Sequence, residues 1–208
     1  MVIGVRLDQK NYLVKGAVGL DEVGRGALAG PLISCAVVLD PDRSISGLKD
    51  SKLLSHSRRL VLKEEIEEKA LAWGIGSASV KEIDQLNVLQ ATFLSMRRAY
   101  ASLDIDVDVA YVDGNMDPQL GCQTITVVSG DKKVPAISAA SIMAKVVRDL
   151  YMVSLSDQYP DYDFAKNKGY GTSNHLTAIE KFGILPVHRR SFAPIKNKVA
   201  FNSNVSSK

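Results

Sequence analysis

The run LISCAVVL (32–39) constrains this chain more than any other stretch, because all of it except Ser34 is apolar. A short, β-branched, almost unbroken apolar run of this kind reads as a strand buried on both faces. Just upstream, AVGLDEVG (17–24) is β-prone and ends at glycine, and only the loop GRGALAGP (24–31) lies between the two. So short a link cannot hold the crossover that a parallel pair needs, so the two strands are expected to pair as an antiparallel hairpin. Downstream the pattern alternates. SHSRRLVLKEEIEEKALA (55–72) reads as a helix, with Leu62, Ile66 and Ala70 at spacing four and Ser55 or Ser57 as N-cap. WGIGSASV (73–80) is a strand, DQLNVLQATFLSMRRAYASL (84–103) a long helix, VDVAYVDGN (107–115) a strand, and QTITVVSGDKK (123–133) another. AISAASIMAKVVRDLYMVSLSDQY (136–159) is an amphipathic helix whose apolar stripe takes Ala139, Ile142, Met143, Val146, Leu150 and Val153. Lys145 and Arg148 fall on its other side, facing either a site or solvent. TSNHLTAIEKFG (172–183) is a last short helix stopped by Gly183. An antiparallel start followed by α/β alternation predicts a mixed sheet of five strands flanked by helices.

Composition bounds the rest. Of 208 residues 46% are hydrophobic and 24% charged, the balance of a soluble globular chain. One domain with a small appendage is expected over 1–208: a core at about 14–160, a C-terminal helical part at about 161–196 and a disordered polar tail at about 197–208. No apolar run approaches the roughly 20 residues that span a bilayer, and residues 1–10 lack a signal-peptide layout. Cys35 and Cys122, far apart in sequence, read as reduced thiols, so a cytoplasmic location is expected. The net charge of +3 permits a nucleic-acid partner without arguing for one.

The chemistry-bearing residues are acids at strand ends: Asp21 and Glu22, Asp113 and, just past its strand, Asp131. Ligands of α/β sheets gather at strand ends, so acids distant in sequence can converge there. Converging carboxylates either take up protons or are neutralised by divalent cations, and oxygen-only ligands suit Mg²⁺ or Mn²⁺. Two such ions about 3.5–4 Å apart support phosphodiester cleavage. Taken singly, Asp113 and Asp131 could equally be capping or solvated loop residues. The Asp21–Glu22 pair inside a β run is harder to explain that way. GRGALA (24–29) fits a dinucleotide-binding fingerprint, but that motif requires a helix after it, and a strand follows here. Asp21 and Glu22 would also repel the pyrophosphate the loop should attract. His56, His175 and His188 lie in unrelated segments, and no Ser or Cys occupies a nucleophile elbow. His175 reads as a surface or packing residue. His188, beside Arg189 and Arg190, reads either as phosphate-facing or as structural.

LDEVGRGALAGP, LKDSKLLS, YVDGN, SGDKKVPAISAASIMAKVVRD, NKGYGT and PVHRRSFAP occur in this order over residues 17–195, and with them the chain resembles the type 2 ribonucleases H, the bacterial ribonuclease HII group. The resemblance implies a ribonuclease H-like fold and metal-dependent endonucleolytic hydrolysis of the RNA strand of RNA–DNA hybrids. It also implies a nick 5′ to single ribonucleotides embedded in duplex DNA, leaving 3′-hydroxyl and 5′-phosphate ends. Matched by motif, Asp21, Glu22, Asp113 and Asp131 become the catalytic and metal-binding quartet, with two Mg²⁺ or Mn²⁺ ions during catalysis. Gly24, Arg25 and Gly26 would read the ribose 2′-hydroxyl through their backbone. Tyr170 would stack on the following deoxyribose, and Lys49, Ser51 and Lys52 would touch phosphates. Lys145, Arg148, His188 and Arg189 complete the implied substrate contacts. Two positions depart from the family's usual pattern, Asn167 where His is common and Leu53 where a second Lys is common, and they bear on phosphate binding rather than on the acids. The related HIII enzymes usually carry an extra N-terminal domain and Glu as the fourth acid, whereas the first motif here begins by residue 21 and the fourth acid is Asp131. The chain is expected to act as a monomer in primer removal or ribonucleotide excision. A non-catalytic hybrid-binding protein is the alternative, and it would tolerate Asp113→Asn.

Overall fold

Ala17–Val23 (β1) and Leu32–Val38 (β2) pair antiparallel, with Gly19 opposite Val37 and Val23 opposite Ile33, as the short glycine loop between them requires. These strands belong to a computed structural model that describes residues 16–48 and 54–198. Ala72–Ala78 (β3) adds antiparallel to β2, while Val109–Asp113 (β4) runs parallel to β1 and Gln123–Val127 (β5) parallel to β4. The sheet order is therefore β3-β2-β1-β4-β5, and the most buried strands, β1 and β2, sit at its centre. This is the mixed five-stranded α/β sheet that the element order predicts.

His56–Lys69 (α1) and Pro135–Gln158 (α4) cover one face, packing Leu62, Ile66, Ile142 and Met143 against Ile33, Cys35 and Val37. Val88–Ala101 (α3) covers the other, where Met96 and Ala99 meet Leu20, Ala36 and Val112. Each fully buried large aliphatic side chain here contributes about 1.5–3 kcal/mol. Helix α4 lies close on β1 because position 19 has no side chain: a Cβ on Gly19 would fall 2.1 Å from the carbonyl carbon of Ala136.

Three details depart from the sequence reading. The expected helix 84–103 is two helices, Val80–Leu86 (α2) and α3, broken at Asn87. Asn87 has φ 72 and its Oδ1 accepts from the backbone N–H groups of Leu89 and Gln90, so it ends one helix and caps the next. Strand β5 ends at Val127, and the acidic–basic loop expected after it opens with Ser129 in a left-handed conformation and a 3₁₀ turn, Gly130–Lys132. The stripe of α4 does not run on through Leu150 and Val153, which are exposed. The buried positions shift to Arg148, Met152 and Leu155. Beyond Val146 the helix leaves the sheet and packs against the C-terminal part instead, where Tyr162, Phe164, Ala178, Ile179 and Ile195 surround Met152 and Leu155. That part also contains Phe164–Asn167 (α5), a single turn absent from the sequence reading, and Ser173–Phe182 (α6), capped by Thr172 and ended at Gly183. Among the described residues no helix is long and apolar enough to cross a membrane. Cys35 and Cys122 are free thiols. Lys49, Ser51, Lys52 and Leu53, and the polar tail from 199 onward, lie outside the described residues.

Candidate active site

Parallel pairing of β1 with β4 sets Leu20 beside Val112, and one step further along each strand come Asp21 and Asp113. Neighbouring strands lie about 4.8 Å apart, so the two carboxylates issue from adjacent backbone positions. Asp21 is 6% exposed, and its Oδ1 accepts from the Glu22 N–H at 2.7 Å. Asp113 Oδ1 accepts from the Gly130 N–H at 2.6 Å, so the strand end carrying Asp113 is tied to the turn carrying Asp131. Asp131 itself is buried, and its carbonyl accepts from the Ser138 hydroxyl just inside α4, whose N-terminal end favours negative charge nearby.

The charges at this point are in tension. Burial, then the carboxylates of Glu22 and Asp113, hold the Asp21 carboxyl well above the usual carboxylate range. Glu22 is raised as well, chiefly by burial, with Arg25 pulling it back and Asp113 pushing it up. Arg25 Nη1 stands 3.4 Å from Glu22 Oε1 but is half exposed, so it offsets only part of the repulsion. Asp21, Glu22 and Asp113 together line an open cleft of about 410 Å³, with Ser141 and Lys145 of α4 and Arg59 of α1 on its walls. Asp131 is not among the lining residues. Among the described residues no group of three or more acids, histidines or cysteines stands ready to hold a metal ion, and the three acids line an open cleft. Their donor set is all oxygen and mutually repulsive, with Arg25, Arg59 and Lys145 as the nearby cations. That set fits a hard divalent cation and suits neither zinc nor a soft metal.

Beside the cleft the glycine loop is held from behind. Gly24 is buried with φ +97, while Arg25 and Gly26 are exposed at the loop's tip. Arg148, expected on the polar side of its helix, is instead fully buried under this loop. It donates to the carbonyl oxygens of Pro31, Lys168 and Ala29 at 2.9–3.0 Å and lies 5.4 Å from the centre of the Tyr170 ring. Arg189 is turned inward in the same way, donating to Arg25 O at 3.0 Å and twice to Gly30 O. His188 is also buried, on His175. These three residues therefore brace the loops from inside, because their donors meet backbone or each other. Tyr170 stays half exposed, in a segment whose Gly169 carbonyl accepts from the Leu28 N–H at 2.7 Å. Asn167, where the family often has His, is buried and bridges Tyr162 O and the Gly169 N–H. Lys145 alone of the two α4 cations reaches the cleft, paired with Asp149 at 2.6 Å.

Sequence reasoning missed Ser141, which hydrogen-bonds the Asp21 carboxylate, and Arg59. Ser141 lies one helical turn before Lys145, and that spacing could have flagged it. Arg59 gives no comparable signal.

Three comparisons bear on this geometry. The family model described as Ribonuclease HII matches residues 18–195. The chain is 54% identical over 178 residues to the Ribonuclease HII of Vibrio campbellii, covering 86% of this chain and 84% of that protein. Among solved structures, the ribonuclease H2 from Pyrococcus horikoshii superposes with a TM-score of 0.73 at 27% identity, covering 87% of this chain and 95% of that one. Bst-RNase HIII in complex with Mn²⁺ superposes at 0.72 and 17% identity, covering 93% and 72%, a likeness of fold.

Proposed function

The chain belongs to the ribonuclease HII family, endonucleases that hydrolyse RNA in RNA–DNA hybrids, and from that premise we propose that it also nicks duplex DNA 5′ to a single embedded ribonucleotide, using two divalent cations held by Asp21, Glu22, Asp113 and Asp131. The observation that carries this reading is the convergence of Asp21, Glu22 and Asp113 on one cleft, with the glycine loop and Tyr170 meeting on Arg148 beside it. Bound Mg²⁺ or Mn²⁺ supplies Lewis acidity there, neutralising the phosphate and activating water for in-line attack. The chain's own residues do the rest. Asp21 and Asp113, adjacent on parallel strands, would hold the cations, with Glu22 and Asp131 completing the oxygen set. Lys145 on the cleft wall meets the phosphate backbone, a contact that sets register without reading sequence. Gly24 and Gly26 let the main chain come close to the sugar, where backbone groups can distinguish a 2′-hydroxyl. Tyr170 packs on the next sugar. Arg148, Arg189 and His188 act behind these loops, which replaces their expected role as direct substrate contacts. The protein works as a monomer in the cytoplasm, in primer removal or ribonucleotide excision.

The test incubates the purified chain with a DNA duplex carrying one ribonucleotide, and in parallel with an RNA–DNA hybrid, in Mg²⁺, in Mn²⁺ and with chelator. A nick 5′ to the ribonucleotide, with 3′-hydroxyl and 5′-phosphate ends, is expected in metal alone. Hybrid cleavage without that nick would overturn the junction reading.

A further inference from the structure

His175 on α6 and His188 in the following loop are 0% and 1% exposed, and their rings lie with centroids 5.3 Å apart against the stacked rings of Tyr162 and Phe164. Their hydrogen bonds leave one arrangement of protons. The Leu185 N–H donates to His188 Nδ1 at 2.8 Å, so that nitrogen carries a lone pair and the ring's proton sits on Nε2. His175 Nδ1 faces the Tyr170 carbonyl at 2.9 Å, which can only accept, so His175 is protonated at Nδ1 and bare at Nε2. The two Nε2 atoms are 3.1 Å apart, one donor and one acceptor, as those assignments require. A one-way chain thus runs from Leu185 through both imidazoles to the main chain of Tyr170. A second proton on either ring would set two N–H groups face to face. Burial pushes both imidazoles down, His188 to about 4, which keeps the pair neutral at physiological pH.

The chain ends between two glycines. Tyr170 lies between Gly169, at φ +80, and Gly171, and its carbonyl accepts a second bond from the Thr172 N–H at 2.8 Å. We propose that the neutral His175–His188 pair is a positioning device for the ribonuclease reaction: it fixes the peptide plane after Tyr170 and so aims the Tyr170 ring at the sugar beside the scissile phosphate. This rests on the reading of Tyr170 as a substrate contact. Neither histidine touches substrate.

Two substitutions at position 175 separate positioning from mere packing. In His175→Asn the amide nitrogen lies near the former Nδ1 and can still donate to Tyr170 O, leaving His188 unmet. In His175→Gln the amide oxygen can still accept from His188, leaving Tyr170 O with the Thr172 N–H alone. Each loses one buried hydrogen bond, so their urea midpoints should fall alike. On the single-ribonucleotide duplex, kcat/KM is expected to drop about tenfold in His175→Gln and to stay within about twofold in His175→Asn. Equal losses in both variants, or a greater loss in Asn, would overturn the proposal. Tyr170→Ala serves as the control. If it cleaves normally, Tyr170 is no substrate contact and the underlying reading falls. If it is impaired while His175→Gln is not, only the positioning role falls. Independently of any variant, ¹⁵N NMR of the intact chain should find the protons on His175 Nδ1 and His188 Nε2. A spectrum with His175 protonated at Nε2 would end the idea.

Discussion

A Cβ placed on Gly24 would lie 2.3 Å from Arg148 Nε, so the loop at the cleft rests directly on a buried guanidinium. That guanidinium cannot yield easily, because three backbone carbonyls hold it. Gly24 also has φ +97, a conformation costly for any other residue. Gly24→Ala is therefore expected to cost roughly 2 kcal/mol or more of stability. It should also lose most cleavage by lifting the loop. Urea unfolding and hybrid cleavage measured on the same preparation check both.

Lys145 and Arg148 look equivalent by helical periodicity and should behave as opposites. Arg148→Lys keeps the charge but cannot reach three carbonyls at once, and each buried acceptor left bare costs about 1–3 kcal/mol. A loss of about 3 kcal/mol in the unfolding midpoint is expected. Lys145→Ala removes the partner of Asp149, whose carboxylate is buried while the lysine is partly exposed, at a cost of about 1–2 kcal/mol. Its folding should suffer less than that of Arg148→Lys, while KM for hybrid rises. Equal destabilisation of the two would contradict their different burial.

Asp113→Asn keeps the shape of the strand end and an oxygen able to accept from the Gly130 N–H. It removes one charge from the acid set. Turnover should fall about 100-fold or more, a loss of several kcal/mol in the barrier. Electrophoretic mobility shifts with hybrid should remain, because the basic and loop contacts are intact. A variant that still turns over at the parent rate would remove Asp113 from the machinery.

Buried histidines set one pH dependence of stability. Burial, then His175, pushes the His188 imidazole down to about 4, against about 6.5 in an unfolded chain. Between those values the unfolded chain takes up a proton that the folded one refuses. His188 therefore contributes stability above pH about 6.5 that is lost as pH falls toward about 4, at up to about 1.4 kcal/mol per pH unit. His188→Asn keeps an acceptor for the Leu185 N–H and cannot titrate. Between pH 6.5 and 5 its stability should fall less steeply than the parent's, by about one proton's worth of slope. Parallel slopes in urea titrations at several pH values would rule this out.

The sheet was legible because its signals are local: LISCAVVL next to a glycine loop leaves little choice of pairing, and Ser55 caps α1 as its position suggests. The acids were legible in identity, and Asp21 with Asp113 follows once β1 and β4 are parallel neighbours. What escaped depends on long-range packing. Nothing in the periodicity of 136–159 shows that the C-terminal part folds back over α4 beyond Val146, and that contact buries Arg148 while exposing Leu150 and Val153. The inward turn of Arg189 and His188 has the same origin. In PVHRRSFAP their charge suggests phosphate, yet a loop returning to Ala29 and Gly30 brings Arg189 to the Gly30 carbonyl and His188 to His175 instead. Asn87 was legible in principle as a cap, but its position inside an apolar-periodic stretch concealed the break.

Asp21 should trade stability for activity. Its carboxyl is raised by burial and by two neighbouring acids, so the folded chain prefers it protonated and the ionised form opposes folding at neutral pH. The sign is opposite to that of His188: this cost is present above the raised value and relieved as pH falls toward about 3.8–3.9, the ordinary Asp range. Asp21→Asn keeps the shape, drops the charge, and is expected to raise metal-free stability by about 1 kcal/mol or more while abolishing cleavage. A cation that binds only the folded chain should relieve the same repulsion. At about 100 times its dissociation constant, Mn²⁺ would add about 2.7 kcal/mol to the parent and much less to Asp21→Asn. Thermal unfolding with chelator, with Mg²⁺ and with Mn²⁺ reads both effects without any turnover. A variant no more stable than the parent in chelator would show that the repulsion is already neutralised within the chain, and equal metal shifts in the two would place the cation away from Asp21.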